Sequence, residues 1–204
     1  MTIFDSLLSK LYRHDDLNLE EIKDNVSSRI DKFARQYLSP DAFRRYLDST
    51  KSLAYEISYL PSTILMYYDV MKKRLRTFVS GVLGYYDMLR NRIVLNRYIP
   101  KEEAEAVLAH ERVHQATRSW AMEYFKRFGE SARPIVEGFT ELITRGLGYF
   151  SRAYDEYVKA AEKTIQRMGY NLREGLYRIL NFKIDPYVVA GTFYQQIGCQ
   201  SCYR

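Results

Sequence analysis

Apolar side chains recur at three- and four-residue intervals over most of the chain, a spacing that predicts a largely helical protein. From Asn18 onward, Ile22, Val26, Ile30, Phe33 and Tyr37 line one face, and Asn18 with Glu21 resembles a capping box. Ser39-Pro40 starts a second helix, because proline suits the first helical position, and Phe43, Tyr46 and Leu47 form its apolar face. Pro61 and Ser62 are expected to open a third helix through Ile64, Leu65, Tyr68 and Met71. Its last turn would hold the basic run 72–76, where positive charge complements the helix dipole. The pattern then switches. Residues 77–86 (TFVSGVLGYY) and 92–96 (RIVLN) are β-branched and aromatic, and are expected to pair as an antiparallel hairpin across 87–91. No other stretch reads clearly as strand. Beyond Pro100 and its acids Glu102 and Glu103, helical spacing resumes through Ala104, Val107 and Leu108, and again through Trp120, Tyr124 and Phe128 to a stop at Gly129. Further helices are expected from Pro134 to the GLG at 146–148, from Ser151 to Met168, from Leu172 to Leu180 behind Asn171 and Glu174, and from Pro186 to Ile197 behind Asp185.

Composition narrows the class. A chain of 204 residues, 47% hydrophobic and 27% charged, can bury a core without disulfides or structural metals. No apolar run approaches the 18 or so residues of a membrane span, and the early acids of the amino terminus are unlike a secretory signal, so a cytoplasmic protein without a membrane partner is expected. The net charge of +6 permits a polyanion partner. Its basic residues are spread along the chain without a nucleic-acid motif, so nucleic acid is disfavoured. Cys199 and Cys202 form a lone CxxC, which lacks the second pair or nearby histidines of a structural zinc site and the following helix of a redox motif. They read as a reduced or locally disulfide-linked tail, with a zinc site shared between two chains, or a thiol that reaches a metal elsewhere in the molecule, as the alternatives. Tyrosine is abundant while Asn and Gln are sparse, as in heat-adapted proteins, where intracellular disulfides are less unusual.

Histidine is the informative scarcity. Of only three, two belong to His110-Glu111-Arg112-Val113-His114, an HExxH pattern for which this composition expects roughly 0.003 chance occurrences. On a helix, residues four apart differ by about 40° of rotation, so both imidazoles project from one face and can deliver two nitrogens to one tetrahedral ion. Glu111 lies one step round from His110, close enough to address a water at the metal without ligating it. A catalytic zinc keeps three protein ligands and an open position. His14 is the remaining histidine, in the amino-terminal region. Thr117 and Trp120 stand where the metzincin pattern needs Gly and His, which excludes that family. Glu137 and Glu141, four apart among Ile135, Val136, Phe139 and Leu142, supply the next candidates: one carboxylate can ligate while the other accepts a hydrogen bond from a ligand histidine.

A strand hairpin, an HExxH helix and a second helix with Glu-x-x-x-Glu resemble the gluzincin zinc metallopeptidases, particularly minimal single-domain members, over roughly residues 77–148. That resemblance implies an α+β, predominantly helical, zincin-like fold, with a small antiparallel sheet packed on the HExxH and glutamate helices. The chain itself offers one boundary, near residue 61, which divides it into an amino-terminal helical region, 1–60, and a peptidase domain with carboxy-terminal helices, 61–204. The resemblance does not extend to the first 60 or last 55 residues. It makes His110, His114 and Glu137 the zinc ligands, Glu111 the general base and acid, and Glu141 the acid supporting the first histidine, where the family often has Asp. The substrate would be a peptide or protein, hydrolysed by a zinc-held water that Glu111 deprotonates. The family often stabilises the oxyanion with a Tyr or His; Tyr149 and Tyr154 follow the glutamate helix, but the residues single out no donor. An extended substrate would pair with the hairpin edge at 77–84. Two other readings compete. A di-iron bundle needs a second ExxH element, and none exists. A helical zinc-binding interaction module with little cleavage would not need Glu111. Coverage of the cleft by either flank is a further expectation.

Overall fold

The computed structural model describes residues 19–58, 62–69, 74–81, 83–96, 99, 101–150 and 154–198. Asn18, His14, Cys199 and Cys202 lie outside them. Helix α1 spans Leu19–Tyr37 and buries Val26, Ile30, Phe33 and Ala34, the face set out by the spacing, with Glu20 and Glu21 in the first turn. Helix α2, Pro40–Lys51, begins behind Ser39, whose Oγ accepts the Ala42 amide. After α2 the chain enters strand β1, Ala54–Ser58, which the helical reading of residues 1–60 did not anticipate. Five residues carry too short a pattern to announce a strand; β1 exists through its parallel pairing with β5, Arg92–Asn96.

The helix expected from Ser62 is instead strand β2, Ser62–Asp69, paired antiparallel with β3, Arg74–Gly81. The run STILMYYD satisfies a period of two as well as one near four, and its Thr, Ile and Tyr favour the pleated conformation. Arg74 and Arg76 therefore sit in a strand and cap no helix. The expected strand 77–86 is likewise divided, 77–81 belonging to β3 and 84–86 to β4, Gly84–Asp87. Strand β4 does pair antiparallel with β5, so the hairpin holds in its second half. Its turn is 88–91, one residue shorter than expected, with Asp87 Oδ1 accepting the amides of Leu89 and Arg90. The three-stranded sheet has the order β1-β5-β4.

The remaining helices follow the spacing. They are α3 (Lys101–Ala116), α4 (Arg118–Phe128), α5 (Arg133–Gly146), α6 (Asp155–Arg167), α7 (Leu172–Leu180) and α8 (Pro186–Gln196). Asn171 Oδ1 accepts the Glu174 amide at the start of α7, and Asp185 Oδ1 accepts that of Tyr187 at the start of α8. Residues 151–153, where α6 was expected to begin, are outside the described set. Helix α3 is central, packing against α1, α5, β4 and β5, with Leu108, Ala109 and Val113 fully buried. The fold is α+β and predominantly helical. No helix among the described residues is long and apolar enough to cross a membrane.

Candidate metal centre

His110 and His114 leave α3 on the same face, their ring centroids 4.7 Å apart. Helix α5 brings Glu137 to them because Ile135, Val136, Phe139 and Ile143 anchor its opposite side in the core. His110 Nε2 lies 3.1 Å from His114 Nε2, and Glu137 Oε2 lies 3.1 Å from the first and 3.3 Å from the second. These are the three side chains among the described residues whose donor atoms form a group able to hold a metal ion.

The outer ring nitrogens explain why this convergence suits a cation. His110 Nδ1 is 2.9 Å from Glu141 Oε2, and that carboxylate, fully buried, can only accept. Glu141 Oε1 is in turn held by Arg145 Nε at 2.9 Å, and Arg145 Nη2 reaches Asp155 Oδ1. With its proton on Nδ1, neutral His110 directs the Nε2 lone pair inward. His114 Nδ1 is 3.2 Å from Thr140 Oγ1, which can accept its proton in the same way. Two lone pairs and a carboxylate oxygen then face one another near 3 Å, an arrangement that only a proton or a metal ion relieves. Two imidazoles and one carboxylate are the donor set of a catalytic zinc site.

Electrostatics agree with the geometry. Burial opposes protonation of His110, but its hydrogen bonds to Glu137 and Glu141 prevail and push its pKa up to about 10. Burial opposes ionisation of Glu137, yet its hydrogen bonds to His110 and His114 hold the carboxyl well below the usual range. Without a metal, these shifts favour a proton on His110 beside an ionised Glu137. Glu111 differs. It is buried, ligates nothing in the triad, and accepts a hydrogen bond from the Tyr86 backbone N–H. Burial drives its pKa up, while the nearby charges of His110 and His114 oppose the rise.

Strand β4 forms the rim. Asn96 N donates to Leu83 O at 2.8 Å, which makes Gly84–Leu95 and Tyr86–Ile93 the non-hydrogen-bonded pairs. Gly84 and Tyr86 therefore turn their backbone groups away from β5, and the Tyr86 amide meets Glu111. Glycine at 84 lets β4 lie close on α3: a Cβ there would lie 2.8 Å from Val107 Cγ1, so that one of the two would have to shift. The edge strand beside the HExxH helix is thus β4, whereas most of the expected 77–84 edge lies in β3.

Of the two tyrosines considered, Tyr154 is at the site. Its ring stacks on His110 at 5.6 Å and 17°, with Tyr157 stacked behind at 6.0 Å. Burial and then the charges of Glu137 and Glu111 raise its pKa, so the phenol keeps its proton. Tyr154 has φ 61°, a left-handed backbone that costs a non-glycine residue about 1 kcal/mol and here holds the ring against His110. Tyr149 packs elsewhere, beneath the Arg29 guanidinium of α1. Thr140 was not singled out from the sequence, although its position three residues after Glu137 was a signal. The Tyr86 amide had none. Comparison of the chain with protein-family models, with curated proteins and with solved structures returns no match.

Proposed function

We propose that the protein is a zinc-dependent peptidase of gluzincin type. One observation carries the reading: three ligand atoms from His110, His114 and Glu137 converge while Glu111, buried beside them, stays out of the set. A purely structural site has no use for that fourth group. Zinc held by these three side chains would polarise a carbonyl and acidify a water.

The chain's own residues supply the rest. Glu141 fixes His110 in the tautomer that presents Nε2, and Thr140 does the same for His114. Glu111, its pKa raised by burial, takes the proton of the attacking water and returns it to the departing amine nitrogen. The protonated Tyr154 phenol donates to the oxyanion that develops on the scissile carbonyl. An extended peptide or protein segment lies along β4, adding to the outward backbone groups of Gly84 and the Tyr86 carbonyl, while the Tyr86 amide stays with Glu111.

Zinc content of wild type and Glu137→Ala, with cleavage of a mixed peptide library, tests this reading. One zinc per wild-type chain, loss of zinc in the variant and chelator-sensitive cleavage are expected. Wild type that binds no zinc would sink the proposal, and zinc without cleavage would leave the interaction-module reading in its place.

A further inference from the structure

A cavity of about 380 Å³ opens at the carboxy-terminal end of the HExxH helix, between α2, the start of α4 and the end of α7. None of His110, Glu111, His114 or Glu137 lines it, so it is distinct from the metal centre. Its wall has two chemically different parts. Arg45 and Arg118 bring two guanidinium groups, and no Asp or Glu is among the lining residues. Both meet neutral hydroxyls: Arg45 Nε donates to Ser119 Oγ at 3.3 Å, and Arg118 hydrogen-bonds the Tyr86 hydroxyl. Trp120, Met122 and Leu180 supply an apolar surface beside them.

Two cations with no carboxylate beside them among the described lining residues, grouped on one cavity, leave a local charge of +2 that an anion would neutralise. Guanidinium forks bind oxyanions through paired N–H donors, and a doubly charged oxyanion matches two of them better than a singly charged one. The apolar wall gains nothing from a bare inorganic ion but removes a small hydrocarbon or aromatic group from water. The volume falls within the range of small-ligand sites. We propose that this cavity binds a small phosphate monoester, with the phosphate between Arg45 and Arg118 and an apolar ester group against Trp120, Met122 and Leu180. This site stands independently of the peptidase reading.

The test is calorimetric titration of the full chain with phenyl phosphate after dialysis against a chelator, because zinc itself attracts phosphate. One saturable site is expected. Inorganic phosphate should bind more weakly, and phenol should not bind. Arg45→Gln and Arg118→Gln should each weaken phenyl phosphate binding by about ten-fold or more. Arg45 is exposed, so its variant keeps the test decisive if Arg118→Gln disturbs folding through Tyr86. Met122→Trp should weaken binding by filling the cavity, and Glu137→Ala should leave it unchanged. Absence of saturable binding, indifference to Arg45→Gln, or loss of binding in Glu137→Ala would overturn the proposal. Equal affinity for phenylacetate would overturn the assignment to a phosphate.

Discussion

His110 meets a carboxylate at each ring nitrogen, Glu141 at Nδ1 and Glu137 at Nε2, and so holds a proton to about pH 10 in the metal-free protein. On the proposed reading, zinc displaces that proton. Between the ordinary imidazole value of 6.5 and about 10, zinc binding should therefore release a proton that unperturbed histidines would already have lost. Calorimetry in buffers of different ionisation enthalpy at pH 8 measures it; a heat independent of buffer would contradict this account of His110. Tyr154 makes a separate prediction. Tyr154→Phe keeps the ring stacked on His110 and deletes the donor, so zinc content should persist while kcat falls about 100-fold and KM changes little. A fall in KM-dependent terms alone, measured by steady-state kinetics, would remove the phenol from the chemistry. The site residues differ in how far they could be read beforehand. His110, Glu111 and His114 are legible because four-residue spacing on one helix is local geometry. Thr140 and the Tyr86 amide acquire roles only when α5 and β4 pack on α3.

Helix α6 approaches α5 closely enough that position 138 must be glycine. A Cβ there would lie 2.7 Å from the Tyr157 backbone oxygen, and backbone has no rotamer with which to yield. Gly138→Ala should destabilise the protein by about 1–3 kcal/mol, read from denaturant unfolding, and should displace Tyr154 along with α6. Cleavage by the folded variant should fall with zinc still bound; unchanged stability would show that α6 shifts freely. Helix starts were readable because their determinants are adjacent in sequence: Ser39, Asn171 and Asp185 each accept an amide two or three residues on. Strands β1 and β2 were not. Their apolar residues fit more than one period, and strand β1 depends on β5, which follows it by more than thirty residues.

Across the molecule, one core joins the segments on either side of residue 61. Val26, Ile30 and Phe33 of α1 cluster with Leu108 and Val113 of α3, and β1 pairs with β5. Fully buried Arg112, next to Glu111, donates to Tyr46 of α2 and to Gln115, tying α2 to the HExxH helix. The His110–Glu137 cluster therefore sits on the shared core, and the pH dependence of stability follows with a definite sign. In metal-free protein the raised pKa of His110 contributes stability that is complete below 6.5 and lost as pH rises to about 10. The depressed pKa of Glu137 contributes stability present above 4.5 and lost as pH falls. Metal-free protein should thus lose stability between pH 6.5 and 10. Zinc replaces the departing proton, so its increase in Tm, measured by calorimetric scanning, should be larger at pH 9 than at pH 6. An equal increase at both values would contradict the coupling. The central claim, that Glu111 performs acid–base chemistry beside a three-ligand zinc, is tested most directly by peptide cleavage at matched zinc occupancy in wild type and Glu111→Gln. The variant should keep one zinc per chain and lose cleavage by about 1,000-fold or more; a zinc-loaded variant that cleaves as fast as wild type would contradict the account.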